Sequence, residues 1–399
     1  MQNLDNFKIF KNKVLFRADL NVPVLSGKIT DKSRIESIKK SISKLVSNKN
    51  KIFIISHFGR PKGMVQKKYS LEFMSKVLEE ELNVSKVHFL KNFDIKSIAN
   101  KIKEMQFGEI CLFENIRFYP EEEKNDLKFI RNFCENFDIY VNDAFSASHR
   151  KHASIVGIPK FLPSVAGYCL IEEITNINYF FSKNKKPSLA IIGGSKISTK
   201  INLLNNLIKS VDFIFIGGAM ANTFLFAKNI NIGKSLCEKE LSDIAISILK
   251  QSENFNCKII LPVDVVCSDS LKNKSNIKEC DINNILSNQM ILDIGSKTIN
   301  SISEYINKSN MILWNGPLGV FEISPFDHSS IEIAKKIMNN NKLHNKLSIA
   351  GGGDTISAIK LAKAEKGFSY ISKAGGAFLE WLEGKESVGI IALRKNNLT

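Results

Sequence analysis

Short runs of β-branched and aromatic residues alternate along the chain with longer stretches of helical character, and this alternation restricts the fold more than any other feature. In the first half the strand-like runs are VLFRADL (14–20), IFIIS (52–56), ICLFEN (110–115) and IYVNDA (139–144). In the second they are LAIIGG (189–194), FIFIGG (213–218), IILPVDVV (259–266), MILWNG (311–316) and LSIAGG (347–352). Strands separated by helix-length segments form βαβ units, which build parallel sheets covered by helices. The expected class is α/β. A chain of 399 residues can supply two such sheets with full cores. The segment 166–188 reads as a helix that ends in a Lys/Asn/Pro break, and the domain boundary is expected there.

Ligands of open α/β sheets bind outside the carboxyl ends of the strands, so the residues at those ends indicate the chemistry. The first-half strands run into Asp19 and Asn21, His57 and Arg60, Asn115 and Arg117, and Asn142-Asp143, with Ser148-His149-Arg150 close behind. Arg34 is expected to begin a helix that reaches the same edge, whereas Arg131 lies in a helical pattern and is expected to be solvated. Composition matters at this point. Of 56 basic residues 49 are lysines, spread over the chain, and six of the seven arginines precede position 151. Arginine's planar fork is hard to replace where a carboxylate or phosphate is held by two bonds. The first half therefore reads as a pocket for a small, multiply anionic ligand.

The second-half strands run into glycine turns instead: Gly193-Gly194, Gly217-Gly218, Asn315-Gly316 and Gly351-Gly352-Gly353, the last followed by Asp354 and Thr355. Glycine admits close approach of backbone to a ligand, and N–H groups converge where a helix starts. One such turn serves packing as easily as binding, but four at equivalent strand ends point to a nucleotide site. No G-x-x-x-x-G-K-[ST] string occurs, so the positive charge has to come from elsewhere. Lys196 and Lys200, four apart after Gly193-Gly194, would share one face of a starting helix. Asp354 is the candidate Mg²⁺ carboxylate, because magnesium usually takes one or two carboxylates plus phosphate oxygens.

Other classes fit less well. A dinucleotide-dependent dehydrogenase would need G-x-G-x-x-G, a spacing that none of the turns has. The net charge of +16 leaves a basic nucleotide- or RNA-binding protein without catalysis as the alternative, but dispersed lysine is compositional bias more than a binding stripe. No nucleic-acid or membrane partner is expected. The charged N-terminus has no signal-peptide character, so the cytoplasm is the expected compartment. Seven cysteines without a C-x-x-C pair fit neither a disulfide framework nor a zinc site.

In order, the strings FRADLNVP (16–23), ISHFGRPKG (55–63), LFENIRF (112–118), VNDAFSASHRKHAS (141–154), GGSKISTKI (193–201), GGAMANTF (217–224), LPVDVV (261–266), WNGPLGVFE (314–322), AGGGDT (350–355) and AGGAFLEWLEG (374–384) resemble the phosphoglycerate kinase family. The chain departs from the usual pattern at Ala219, Ser296 and Lys373. The resemblance implies two Rossmann-like domains, each a parallel sheet flanked by helices. These are a glycerate-substrate domain over 1–170 and a nucleotide domain over 188–384. They are joined by a hinge helix and linker over 171–187, and the segment 385–399 packs back on the first. It also implies reversible phosphoryl transfer between 1,3-bisphosphoglycerate and MgADP, giving 3-phosphoglycerate and ATP in a monomeric enzyme of glycolysis and gluconeogenesis. On this resemblance Asp19, Asn21, Arg34, His57, Arg60, Arg117 and Arg150 bind the glycerate substrate. Lys196 contacts the transferring phosphoryl and acts with Arg34 in catalysis. Lys200, Gly217, Gly218, Asn315, Glu322, Gly352, Gly353, Asp354 and Thr355 bind the nucleotide, with Asp354 also on Mg²⁺.

Overall fold

The computed structural model describes residues 1–183, 185–272, 274, 276–344 and 346–396. They form two compact units: Met1–Thr175 together with Glu386–Thr399, and Asn176–Lys385.

The first unit contains β1 (Lys13–Arg17), β2 (Val24–Leu25), β3 (Lys28–Ile29), β4 (Lys51–Ile55), β5 (Val87–Leu90), β6 (Ile110–Phe113), β7 (Ile139–Asn142) and β8 (Ser164–Ala166). Six of them make one parallel sheet in the order β5-β6-β4-β1-β7-β8, while β2 and β3 form a small hairpin. β6 and β7 are buried at every position, which explains their unbroken apolar character: a parallel sheet with helices on both faces has no wet side. The helix Ser33–Ser47 covers the sheet with Ile35, Ile38, Ile42 and Leu45, at the spacing of one helical face. The helix Val388–Arg394 belongs to this unit too. Gly389 N–H donates to Ser148 O (2.8 Å), and Asn396 Nδ2 reaches Leu162 O (3.0 Å).

The second unit contains β9 (Ser188–Ile192), β10 (Phe213–Ile216), β11 (Lys258–Ile260), β12 (Asp264–Ser268), β13 (Lys278–Asp281), β14 (Met290–Ile294), β15 (Met311–Asn315), β16 (Leu347–Gly351) and β17 (Tyr370–Ser372). Its parallel sheet has the order β11-β10-β9-β15-β16-β17. The central strand β15 is buried throughout and seats Trp314, whose Nε1–H donates to Gly316 O (2.8 Å).

Three differences from the sequence reading shape the second unit. IILPVDVV is two strands, β11 and β12, with Pro262 between them; proline cannot donate to a sheet ladder and ends the first run. Beyond that break β12 joins β13 and β14 in a separate antiparallel sheet, so the unit is not purely parallel. Ser296 opens the helix Ser296–Lys308, and its N–H donates to Glu279 at 2.9 Å, a bond that proline could not make.

Candidate active site

In the first unit the predicted polar residues meet at the ends of β1, β4, β6 and β7. Asp19 lies two residues past β1 and is nearly sealed. Its carboxylate accepts from Arg34 and from the Ser146 hydroxyl, and Asn21 N–H donates to it at 3.1 Å. Burial alone would raise its proton affinity, but Arg34 above all, together with the Ser146 hydroxyl, outweighs burial and holds the carboxyl well below its ordinary range. Arg34 stands in the first turn of Ser33–Ser47, where the sequence placed it. The Asn21 side-chain Oδ1 accepts Gly59 N–H (2.8 Å), which ties the β1 loop to the loop carrying His57 and Arg60. Arg60 is exposed, and so is Arg131, on the helix Leu127–Cys134.

Arg117 is 2% exposed. Its Nη1 donates to Gly59 O (2.9 Å), and its Nε is 3.5 Å from the Glu123 carboxylate. Neither Nε nor Nη2 has a hydrogen-bond partner among the described residues. Burial, with Arg150 and Arg17 nearby, lowers this guanidinium to about 10, an unusual position for arginine. The same crowding pushes His152 down to about 3, through burial first and then Arg117, Arg17 and Arg150. A cluster of like charges around unpartnered N–H groups is a site that gains from a bound anion.

Sequence reasoning passed over part of this cluster. Arg17 is fully buried at the end of β1 and donates to Ser154 Oγ (3.0 Å), to Ala18 O and towards His57 Nδ1 (3.2 Å). Ser154 in turn binds the sealed Glu122 through N–H (2.8 Å) and Oγ–H (2.6 Å). One signal was available: Arg17 follows the apolar run VLF directly, and it is the one charge among the buried positions of KVLFR.

In the second unit the four glycine turns do not have equal roles. A Cβ on Gly193 would lie 2.0 Å from Pro317 O, and one on Gly316 would lie 2.2 Å from Gly193 O. Gly217 backs onto Leu318, and Gly218 onto Gly194. Gly193, Gly218 and Gly316 thus pack backbone against backbone, and Gly217 packs against a side chain. Of the glycines in these four turns, only Gly353, which starts the helix Gly353–Leu361, would meet nothing within 4 Å. Asp354 follows it, exposed, and Thr355 is buried with its hydroxyl accepting Gly316 N–H (2.7 Å). That bond leaves the Thr355 proton available as a donor.

The lysines differ from expectation. Lys196 and Lys200 do not share a helical face, because Ile197–Thr199 is a 3₁₀ turn and Lys196 is extended. The turn is fixed from outside: Ser198 donates to Glu238 from N–H (3.0 Å) and from its hydroxyl (2.6 Å). Lys196 is exposed, while Lys200 is buried and donates to Asn315 Oδ1. Asn315 Nδ2 donates to Gly351 O (2.7 Å), so this amide orients the lysine beside the GGGDT turn. Burial lowers Lys200 to about 8, with Asp354 and Glu383 opposing the shift.

Beside these turns lies a cavity of about 400 Å³, lined by apolar residues such as Leu236, Leu292 and Val320 and by Gly218, Glu322 and Asp354. A slot with greasy walls and carboxylates at its lining suits a planar base bearing a hydroxylated, phosphorylated tail. Asp293 also lines it, a residue outside the sequence reading; its carboxyl accepts from Ser329 N–H (3.0 Å) and is raised by burial to about 7. A single exposed carboxylate next to an open glycine fits Mg²⁺, which fills its shell with phosphate oxygens and water.

Comparison with known proteins agrees with this arrangement. The family model for phosphoglycerate kinase matches residues 4–385. The phosphoglycerate kinase of Rhizobium meliloti (strain 1021) is 44% identical over 385 residues, covering 96% of each chain. That of Orientia tsutsugamushi (strain Ikeda) is 48% identical over 389 residues, covering 96% of this chain and 95% of its own. The solved structure of phosphoglycerate kinase from Coxiella burnetii superposes with a TM-score of 0.88 at 36% identity, covering 98% of both chains. With a matching family model, close relatives along the whole length and the same fold, this chain belongs to the phosphoglycerate kinase family and is a phosphotransferase.

Proposed function

We propose that the first unit holds 3-phosphoglycerate or 1,3-bisphosphoglycerate through Asp19, Asn21, Arg34, His57, Arg60, Arg117 and Arg150. The observation that carries this is Arg117, buried among other cations with two N–H-bearing nitrogens lacking a hydrogen-bond partner. The second unit takes ADP or ATP. The base sits in the apolar slot and the ribose at Glu322, while the phosphates lie along Gly352, Gly353 and Thr355 with Lys200 beside them. Gly217, Gly218 and Asn315 shape that surface through packing and through orientation of the lysine.

In this reading Asp354 holds Mg²⁺, which would neutralise charge on the nucleotide phosphates. The acceptor in the ATP-consuming direction is a carboxylate, already ionised at neutral pH, so neither a general base nor a covalent intermediate is required. Catalysis then comes from in-line positioning and from Arg34 and Lys196 neutralising the transferring phosphoryl. The enzyme is read as a monomer of the cytoplasm, and no helix among the described residues is long and apolar enough to cross a membrane. Nothing in either site calls for nucleic acid.

The test is a coupled assay of ATP formation from 1,3-bisphosphoglycerate and MgADP on the purified chain, run with the Asp354→Ala variant alongside. Turnover is expected in the parent chain, with a markedly higher Mg²⁺ requirement in the variant. An unchanged magnesium dependence would remove Asp354 from the metal role.

A further inference from the structure

The buried contacts behind the anion cluster form a chain whose proton positions can be counted. Glu122 is 0% exposed and accepts twice from Ser154, from N–H at 2.8 Å and from Oγ–H at 2.6 Å. The Ser154 hydroxyl has one proton, and Glu122 takes it. Its oxygen is then free only to accept, and Arg17 Nε–H donates to it at 3.0 Å. Arg17 is held further by Ala18 O, and its Nη2 lies 3.2 Å from His57 Nδ1. Guanidinium is donor-only and keeps its proton in proteins, so Nδ1 has to present a lone pair. A neutral ring with Nδ1 as acceptor carries its proton on Nε2.

We propose that the Glu122–Ser154–Arg17 chain fixes the tautomer of His57, keeping it a neutral imidazole that offers Nε2–H to the bound substrate as a hydrogen-bond donor. Glu122, Ser154 and Arg17 are thus positioning residues that act through His57. This rests on the reading of the first unit as the glycerate-substrate site. The purpose is electrostatic. Arg17, Arg34 and Arg117 all face His57, and a further cation there would add repulsion in the ligand-free protein, whereas a neutral N–H donor adds a bond without adding charge. Burial and these arginines depress protonation of the ring, while Asp19 favours it, with the net direction well below the ordinary histidine value. The hydrogen bond recorded for this ring among the described residues is at Nδ1, which leaves Nε2–H for a ligand.

The experiment uses ¹⁵N-labelled full-length protein and long-range proton–nitrogen correlation spectra, with His57 assigned by its loss in His57→Gln. Between pH 6 and 8 the ring should show a protonated Nε2 and an unprotonated Nδ1, with Nε2 shifting on addition of 3-phosphoglycerate. Glu122→Gln would reverse the hydrogen bond to Ser154 and displace the guanidinium. It should give mixed tautomers or protonation near pH 6, and KM for 3-phosphoglycerate should rise about tenfold, the scale of one lost hydrogen bond, with kcat nearly constant. A parent spectrum with protonated Nδ1, or with both nitrogens protonated, overturns the inference and leaves the site reading standing if the ligand still moves the ring signals. A neutral Nε2–H ring that ignores saturating 3-phosphoglycerate overturns the donor role and takes His57 out of the site. Because the parent protein alone decides between these outcomes, a Glu122→Gln variant that fails to fold does not protect the inference.

Discussion

On the reading proposed above, the two units meet their ligands by different means. The first presents side chains, chiefly arginines and a histidine, held at strand ends by buried carboxylates and hydroxyls. The second presents backbone at glycine turns, an apolar slot and a single buried lysine oriented by Asn315. The contrast follows from what is bound. A small acid with anionic groups at its ends can be held only by charge and directional bonds. A nucleotide brings a large base whose burial supplies affinity, so fewer charges are needed near its phosphates. Each arrangement fails differently when altered, and that makes the comparison testable.

The largest effects should come from the charges assigned to the transferring group. Arg34→Ala and Lys196→Ala should each lower kcat by roughly 10²-fold or more, as for a lost transition-state donor, with modest changes in substrate binding. Near-normal turnover in steady-state assays of both would break the picture of catalysis by charge neutralisation. Next in size is a contrast within the glycine turns. Gly316→Ala places a Cβ against Gly193 O at a backbone φ of +96°, and should destabilise the protein by about 1–3 kcal/mol or more in urea unfolding. Gly353→Ala meets open space, so its stability should change by less than about 0.5 kcal/mol while MgADP affinity falls. Equal stabilities in the two variants would show that the packing distinction is wrong.

The smallest effect is a proton. Lys200 sits near 8 in the folded protein against 10.5 as an ordinary lysine, because burial penalises its charged form. The unfolded chain therefore binds more protons between about pH 8 and 10.5, and the stability cost of burying this cation is full below pH 8 and fades as pH rises through that window. Nucleotide phosphates favour the charged form, so ADP binding near pH 9 should take up a fraction of a proton. Calorimetry in buffers of different ionisation enthalpy would measure it, and binding without proton uptake would place Lys200 away from the phosphates.

Much of the fold was legible because a parallel sheet buried on both faces leaves a plain trace of unbroken apolar runs. Among the described residues seven strands escaped notice: β2, β3, β5, β8, β13, β14 and β17. Most are short, with β8 (SVA) and β17 (YIS) offering three residues each, while β13 and β14 lie outside the parallel sheet, in the small antiparallel one. In the first site arginine's scarcity made Arg34 and Arg117 stand out by type alone. Glu122 and Ser154 were invisible because their meaning lies in contacts: Arg17 and Ser154 are 137 positions apart. The lysine pair failed for a related reason. Four-residue spacing assumes an α-helix, and a distant carboxylate, Glu238, holds the segment in a tighter turn. Glycines were legible as turns but not as binder or spacer, since that depends on which backbone lies opposite.

The interlock of Gly193 and Gly316 limits how this chain can vary. Each occupies the space that a methyl group on the other turn would need, so neither can enlarge first, and a simultaneous change would still collide. Elsewhere the composition is weighted heavily towards lysine, at 49 of 56 basic residues. At this pair of turns no side chain larger than glycine finds room. These two turns of the second unit are thus insulated from side-chain enlargement by steric exclusion, whatever selection acts on activity.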